Sequence, residues 1–333
     1  MKNGITNAFL LLFSIVLSLL ITEALARMII KPRTSPIGHG ILHRKFQMEN
    51  VILNSDGYRD IEFSKKLKNA SNIIFIGDSF TFGHGVANNE NFPNRVREGL
   101  FPEYETYNFG VSGTNTLDHL KILKSKLASL NREVKVVVYQ YVGNDIDYMA
   151  KINIMPVSSM TDHFLIWLSN YSYLADYIYQ PYLINAVIGD NLWKIYQAYN
   201  EKMNNHLMDV EKIWDEIHKN NSPILFIIFP IYIDEHSLNQ SQQIYVRRLI
   251  ERFSETCKQN DGLINVFTLI TQHSMVGNRD YWMANRIDPH PSAELHQLVA
   301  NEIVNYIQQK PGNFMRCGEI NSALSDRKPS RVL

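Results

Sequence analysis

A serine that directly follows a predicted strand is the first residue in this chain that could do chemistry. Ser79 comes after the apolar run 72–76 and the pair Gly77-Asp78, so it lies where that strand ends. In open α/β sheets, ligands bind at this carboxyl edge. A serine becomes a nucleophile only when a base takes its proton, an acid orients the base and hydrogen-bond donors stabilise the oxyanion. The sequence must therefore supply three further groups.

Candidates for these groups lie near the ends of other predicted elements. The closest late pairing of an acid with a histidine is Asp288-Pro289-His290, in a loop from which both side chains can reach back towards Ser79. Gly110 offers a backbone N–H after a short second strand, and Asn144 offers a side-chain amide after a later one. Each residue also has a simpler interpretation, because serine caps helices and glycine and asparagine form turns.

Several apolar, β-branched runs predict buried parallel strands that would position these groups. Stretches with helical periodicity lie between them, and strands that alternate with helices imply a parallel sheet with helices on both faces. The predicted strands are 72–76, 134–142, 224–229 and, more weakly, 262–267, and the predicted helices are 116–130, 192–219, 241–259 and 293–309.

Composition limits the classes of function. The 33 Lys and Arg residues balance 33 Asp and Glu residues, so no strongly basic character favours nucleic-acid binding. No phosphate-binding glycine motif follows a strand, and we expect no nucleotide cofactor. Two cysteines, Cys257 and Cys317, are too few for a cysteine-based zinc site, but whether they pair stays open. His290, His296 and Asp288 have zinc-ligand chemistry, but His296 is predicted on a different face of its helix, so we expect no metal.

The first thirty residues predict a membrane helix. No charged residue occurs from Asn3 to Thr22, and a helix over this run is about 30 Å long, enough to span a bilayer. The tripeptide Ala24-Leu25-Ala26 is similar to a signal-peptidase site, so removal stays an alternative, although the length of the run favours an uncleaved anchor. Positive residues are more frequent after the span than before it, which favours a cytoplasmic C-terminal part.

Four segments resemble, in order, the sequence blocks of the SGNH or GDSL hydrolase superfamily. They are Gly77–Gly83 (GDSFTFG), Asn108–Gly113 (NFGVSG), Gly143–Asp145 (GND) and Asp288–Ser292 (DPHPS). Any one of these motifs is unspecific, but the ordered set over about 220 residues is specific.

The resemblance implies a flavodoxin-like three-layer α/β/α sandwich that hydrolyses esters without a cofactor. Ser79 would be the nucleophile, His290 the base and Asp288 its partner. The backbone N–H groups of Ser79 and Gly110, with the amide of Asn144, would form the oxyanion hole.

One departure from the family pattern concerns the acid. The commonest spacing places it three residues before the histidine, where this chain has Ile287. The acid is then Asp288, as in some subfamilies, with Asp280 in reserve. His84, close to the nucleophile, is interpreted as a loop histidine without a catalytic role.

Four parts of the chain are predicted. Residues 1–30 form a membrane anchor or signal segment, and 31–70 form a linker and leading segment. Residues 71–310 form the hydrolase domain, with a helical insertion at about 148–191, and 311–333 form a flexible tail.

The membrane helix, the segment Asn54–Asp60 and the first block together are similar to membrane-anchored members associated with cell-surface polysaccharides. This similarity favours a catalytic domain outside the cytoplasm, against the charge count. We therefore expect a serine esterase that removes a small acyl group, most plausibly acetyl, from a carbohydrate. Two alternatives stay open: an O-acyltransferase that uses the same acyl-enzyme, and a non-catalytic carbohydrate-binding protein on this fold.

Overall fold

The structure, a computed structural model, describes residues 2–130, 133–150, 159–230 and 240–325. It divides into two units. The helical unit comprises Met1–Glu49 and Asn153–Asp190, and the sheet unit comprises Asn50–Ile152 and Asn191–Leu333.

The strands of the sheet unit form around the apolar runs of the sequence. Those within the described residues are β1 Ser71–Ile76, β2 Tyr104–Asn108, β3 Val134–Val142, β4 Ile224–Phe229, β5 Gly262–Asn265, β6 Met283–Asn285, β7 Asp288–Pro291 and β8 Met315–Arg316. Six of them form one sheet in the order β2-β1-β3-β4-β5-β8, which is parallel except for β8. The other two, β6 and β7, form a separate antiparallel pair.

Several helices begin at polar caps, and the helices of the sheet unit cover its sheet. Asn115 and Ser292, for example, accept first-turn N–H groups at the starts of two of them. The helices are α1 Lys2–Ile29, α2 Ile41–Asn50, α3 Ser79–Phe82, α4 Phe92–Leu100, α5 Thr116–Ser129, α6 Asp147–Ala150, α7 Met160–Ser169, α8 Tyr173–Lys219, α9 Gln240–Thr256, α10 Val266–Thr271, α11 Arg279–Trp282, α12 Ala293–Ile307 and α13 Cys317–Ser325. A 3₁₀ turn covers Phe63–Lys65.

Burial on both faces of the central strands confirms the predicted fold class. Every residue of β4 and the last seven of β3 are buried, so helices must cover both sides of the sheet. The strand order is that of flavodoxin-like folds, in which the chain leaves β1 for one edge and returns to β3. The carboxyl ends of β1 and β3 flank this reversal, where such folds bind ligands.

Among the predicted elements, one helix differs most from the structure. The predicted helix 192–219 is part of α8, which begins at Tyr173 and continues through Pro181. Buried residues such as Tyr173, Asp176 and Tyr179 follow a helical repeat, so packing of this face outweighs the helix-breaking tendency of proline.

The C-terminal segment also differs from its prediction. Residues 311–333 are predicted to be a flexible tail, but the described part contains β8 and α13. β8 pairs antiparallel with β5, and Cys317 forms a disulfide with Cys257. These tertiary links order a stretch that has no periodicity of its own. The predicted insertion 148–191 is helical where described, and residues 151–158 lie outside the described residues.

Candidate active site

Local constraints fix the position of Ser79. It is the first residue of α3 and follows β1 after only two residues. The Asp78 carboxylate accepts the Phe80 N–H at 2.9 Å and caps this short turn. Gly83 ends the turn with a φ of 84°, a left-handed conformation that glycine adopts without strain. Ser79 therefore lies at the carboxyl edge of the sheet, beside the reversal in strand order.

Ser79, His290 and Asp288 meet at this edge. The Nε2 atom of His290 lies 2.8 Å from Ser79 Oγ, and its Nδ1 atom lies 2.5 Å from Asp288 Oδ1. Residues two apart share one face of a strand, so β7 directs Asp288 and His290 to the same side. The reserve acid, Asp280, is instead exposed and faces Arg286 at 3.5 Å.

Burial and charge act in opposite directions on this pair. Burial raises the pKa of Asp288, but the charges of His290 and His84 outweigh it and hold that pKa well below its ordinary value. Burial also lowers the pKa of His290, yet the adjacent Asp288 carboxylate raises it above its ordinary value. Asp288 is therefore an anion at neutral pH, and the imidazole beside it is a stronger base than a free histidine.

A second histidine, predicted to have no role, also contacts the acid. His84 Nε2 lies 3.3 Å from Asp288 Oδ2, and the centroids of the His84 and His290 rings are 4.3 Å apart. The glycines on either side, Gly83 and Gly85, both have positive φ and turn the chain tightly at this point. Closeness to the serine is the one signal in the sequence that could have identified His84.

Two of the three predicted oxyanion donors have no partner in the described part of the chain. These are the backbone N–H of Ser79 and the side-chain amide of Asn144. The Gly110 N–H differs, because it donates to Asn108 Oδ1 at 3.0 Å. Gly110 can serve an oxyanion only if Asn108 releases it.

Close approach of two backbones explains why residue 110 is glycine. A Cβ atom there would lie 2.5 Å from the nitrogen of Phe82 and 2.7 Å from the carbonyl carbon of Thr81. A larger residue would therefore push the loop after β2 away from α3. Further along this loop, Gly113 is exposed, has a φ of 78° and has an N–H that donates to none of the described residues. Sequence reasoning did not consider this donor.

The segment Asn54–Asp60, predicted to belong to a linker, holds the two loops of the site. The fully buried guanidinium of Arg59 donates to the carbonyls of Gly83 and Val86, in the loop after α3. The Asp60 carboxylate accepts the backbone N–H of Asn108 at 3.0 Å. The side-chain amide of Asn108 donates to the Arg59 carbonyl at 3.2 Å. The loops that carry His84 and Gly110 are therefore anchored to one segment.

The side chains of the site that could bind a metal ion already contact one another. Within the described ranges, one group of three donors, from His84, Asp288 and His290, lies within 4.8 Å of one another. His296, the third residue with zinc-ligand chemistry named from the sequence, does not join them, because its Nδ1 accepts the Phe92 N–H at 3.2 Å and its ring stacks on that of Phe92. A metal bound by the three donors would compete with the contact between His290 and Ser79.

Comparison with known proteins identifies the family. The model of the GDSL-like lipase/acylhydrolase family matches residues 75–298, about two thirds of the chain, and the chain belongs to this family. It is accordingly an enzyme of the class that hydrolyses esters. No curated protein matches the sequence.

Solved structures of this class are similar to the chain at low identity. An acetylxylan esterase from Geobacillus stearothermophilus, solved as a catalytic mutant, is 15% identical with a TM-score of 0.45, over 72% of this chain and 96% of that one. A psychrotrophic esterase from Pseudoalteromonas sp. is 13% identical with a TM-score of 0.43, over 72% and 97%. A G-D-S-L family lipolytic protein from Veillonella parvula is 13% identical with a TM-score of 0.42, over 70% and 95%.

Proposed function

We propose that the protein is a serine esterase in which Ser79 attacks the ester carbonyl and His290 takes its proton. The observation that carries this proposal is the continuous contact from Ser79 Oγ through His290 to Asp288, at 2.8 and 2.5 Å. In this arrangement the Ser79 hydroxyl donates to Nε2, and the Nδ1–H donates to Asp288, which keeps the base in the tautomer it needs.

The reaction has two acyl-transfer steps. As Ser79 Oγ bonds to the acyl carbon, its proton moves to His290 Nε2, and the N–H of Ser79 and the amide of Asn144 stabilise the oxyanion. The imidazolium then gives the proton to the leaving alcohol oxygen, and the acyl-enzyme forms. Water repeats the sequence, with His290 as base, and releases the acid and free Ser79. The Gly113 N–H, which has no partner among the described residues, is the candidate for a third donor, because the Gly110 N–H is engaged by Asn108.

The proposed substrate is a short O-acyl ester, acetyl in the first instance, on a carbohydrate of the cell envelope. Resemblance of the first block, the segment Asn54–Asp60 and the membrane helix to polysaccharide-associated members supports this choice. The similar acetylxylan esterase from Geobacillus stearothermophilus bears the name of such an activity.

Packing of the first helix supports an anchor that is retained rather than removed. The stretch Ile5–Ile29 of α1 is long and apolar enough to cross a membrane. Near its end, Ala26 is buried with Leu42 and Tyr173. The Glu23 carboxylate accepts the Tyr173 N–H at 3.0 Å. Cleavage after Ala26 would remove contacts on which the helical unit depends.

The disulfide supports a sheet unit outside the cytoplasm. Cys257 and Cys317 are bonded across 60 residues, and such bonds persist mainly in oxidising compartments. This observation favours the extracytoplasmic side over the one that the charge count favours.

The test is labelling of the full chain in detergent micelles with a fluorophosphonate, followed by hydrolysis of p-nitrophenyl esters of increasing chain length. We expect labelling and turnover to be lost in Ser79→Ala and kept in Ser129→Ala, an exposed serine at the end of α5. Unchanged turnover in Ser79→Ala would overturn the proposal. Adding an acetylated oligosaccharide with a second sugar acceptor separates hydrolysis, which releases acetate, from transfer to a sugar hydroxyl.

A further inference from the structure

One face of α7, with the turn that follows it, carries a row of exposed apolar side chains, which we call the aromatic stripe. It consists of Met160, Phe164, Trp167 and Tyr171, spaced as helical neighbours and 90%, 56%, 55% and 59% exposed. The ring centroids of Phe164 and Trp167 are 5.9 Å apart, and those of Trp167 and Tyr171 are 5.3 Å apart. The stripe is therefore one contiguous patch rather than isolated surface residues.

The opposite face of α7 is the one that packs against the rest of the helical unit. Leu165 and Ile166 pack against Tyr179 and Leu183 of α8. The core of the helical unit is thus already supplied by one side of α7, and the stripe is left over. Large contiguous apolar patches on a protein surface mark contacts with a protein, a ligand or a membrane.

Contacts with α1 show which partner lies near the stripe. Arg27 Nη2 donates to the carbonyl of Tyr171 at 2.7 Å, and the Glu23 carboxylate accepts the hydroxyl of Ser172 at 2.7 Å. Both charged residues stand in the last turns of the apolar stretch Ile5–Ile29. This stretch is about 37 Å long against a hydrocarbon thickness of about 30 Å, so its last turns reach the headgroups.

The position of Tyr171 follows from these contacts. Tyr171 is hydrogen-bonded to Arg27 at the end of the membrane helix. The stripe therefore begins at the level of the lipid headgroups. Tryptophan and tyrosine concentrate at this level, where an apolar ring meets hydrocarbon and a polar atom meets water.

Charge near the stripe complements a lipid surface. Arg27, in the last turn of α1, is paired with Glu23 at 2.8 Å, and Lys31 and Arg33 follow the helix as two further cations. The Arg27 guanidinium lies 5.0 Å from the ring centroid of Tyr173, and that of Arg33 lies 4.5 Å from that of Tyr177. Basic residues beside a membrane helix are attracted to anionic headgroups.

We propose that the aromatic stripe of α7 inserts into the interfacial layer of the bilayer. The occupant of this surface is therefore lipid, and the helical unit contacts the membrane through α7 as well as through α1. This inference rests on the proposed membrane anchor.

Quenching of tryptophan fluorescence by lipid tests the proposal. The full chain is reconstituted into vesicles of phosphatidylcholine and phosphatidylglycerol, with and without bromine on acyl carbons near the headgroups. Besides Trp167, the chain has the exposed Trp193 and the buried Trp214 and Trp282. We expect brominated lipid to reduce the emission of the wild type and of Trp193→Phe, and this loss to disappear in Trp167→Phe. Equal quenching in wild type and Trp167→Phe would overturn the proposal.

A second quencher identifies other occupants of the stripe. Iodide in the aqueous phase should not reach Trp167 in vesicles, so the emission that is lost in Trp167→Phe should be emission that iodide does not quench. Emission that depends on Trp167 and is quenched by iodide means that the stripe faces water. Emission from Trp167 that is protected from both quenchers means that a protein surface covers it, and either result overturns the proposal.

Flotation of the same vesicles separates this inference from the anchor on which it rests. If the chain does not float with the lipid after alkaline carbonate washing, the anchor itself is wrong. If the chain floats and Trp167 is not quenched by brominated lipid, only the role of the stripe is wrong.

Discussion

The two carboxylate oxygens of Asp288 face two different histidines. Oδ1 lies 2.5 Å from Nδ1 of His290, and Oδ2 lies 3.3 Å from Nε2 of His84. The acid is fully buried, so His84 supplies one of its few polar neighbours. In the proposed mechanism His84 is a positioning residue, because it contacts Asp288 and the ring of the base His290 rather than the ester.

Replacement of His84 by phenylalanine should test this role. The ring remains beside His290, but the polar contact of Nε2 with Asp288 Oδ2 at 3.3 Å is lost, and a contact to a charged group is worth up to about 1.5–3 kcal/mol. We expect kcat/KM to fall roughly 10- to 100-fold, the rate equivalent of that energy. The acid limb of the pH profile should move to higher pH, because an Asp288 anion with one partner fewer raises the pKa of His290 further.

His84→Gln is the matched control, because its amide can donate to the same oxygen. We expect it to recover part of the rate and of the pH profile. Wild-type rate and wild-type acid limb in His84→Phe would mean that His84 only fills space.

The pH dependence of the wild type follows from the state of the base. His290 must be neutral to take the Ser79 proton, and the Asp288 carboxylate raises its pKa above the ordinary histidine value. We therefore expect kcat/KM to fall as the pH drops through a pKa above about 6.5. In Asp288→Asn the larger of the two charges that raise the pKa of His290 is gone, only Asp78 remains to oppose burial, and the limb should move to lower pH. Turnover at neutral pH should fall by about 10⁴-fold, because the base loses its orienting acid. If the acid limb of the kcat/KM profile does not move in Asp288→Asn, the limb reports the titration of a group other than His290.

How much of this site the sequence predicts depends on how local each interaction is. Ser79, Asp288 and His290 are found because parallel strands end at one edge, so groups near strand ends and late loops converge there. The reason why residue 110 is glycine cannot be predicted from the sequence. Glycine is required because α3 approaches closely, and no motif encodes this approach. The contact between His84 and Asp288 joins the loop after α3 to β7, two segments far apart in the chain.

The same reasoning applies to the fold. β3 and β4 agree with their predicted bounds, because continuous apolar runs are a strong signal for buried strands. β8 has two residues, and its pairing with β5 comes from tertiary contact rather than from its own pattern.

Substitution of the two loop candidates distinguishes an oxyanion donor from a packing residue. Removing the free amide in Asn144→Ala should reduce kcat by about 10²–10³-fold with little effect on stability. Gly110→Ala should instead destabilise the fold, because its Cβ would lie 2.5 Å from the Phe82 nitrogen. Steady-state kinetics and thermal unfolding of both variants in micelles check this contrast. A loss below about tenfold in Asn144→Ala would assign that residue to its turn.

The Arg59 guanidinium offers a test of the scaffold below the site. Burial lowers its pKa to about 10, so it remains charged at neutral pH while it donates to backbone carbonyls. Arg59→Met leaves those carbonyls without their donor and should reduce the free energy of unfolding by about 1–3 kcal/mol for each carbonyl that stays buried and unpaired. Urea unfolding in micelles measures this loss. The control is Arg286→Met, which replaces an exposed arginine and should reduce the free energy of unfolding by under about 1 kcal/mol. A similar small loss in both variants would show that the loops do not depend on Arg59.

The bond between Cys257 and Cys317 connects the stability of the sheet unit with the side of the membrane on which it lies. It joins the residue after α9 to the first residue of α13 and closes a loop of 60 residues. Closure of such a loop restricts the unfolded chain, and the double variant Cys257→Ser/Cys317→Ser should lose up to about 4 kcal/mol of stability. Alkylation of the chain as isolated from its own cells, before and after reduction, counts the free thiols. We expect no free thiol before reduction and two after it. Two free thiols before reduction would contradict the disulfide and remove the physical support for a sheet unit outside the cytoplasm.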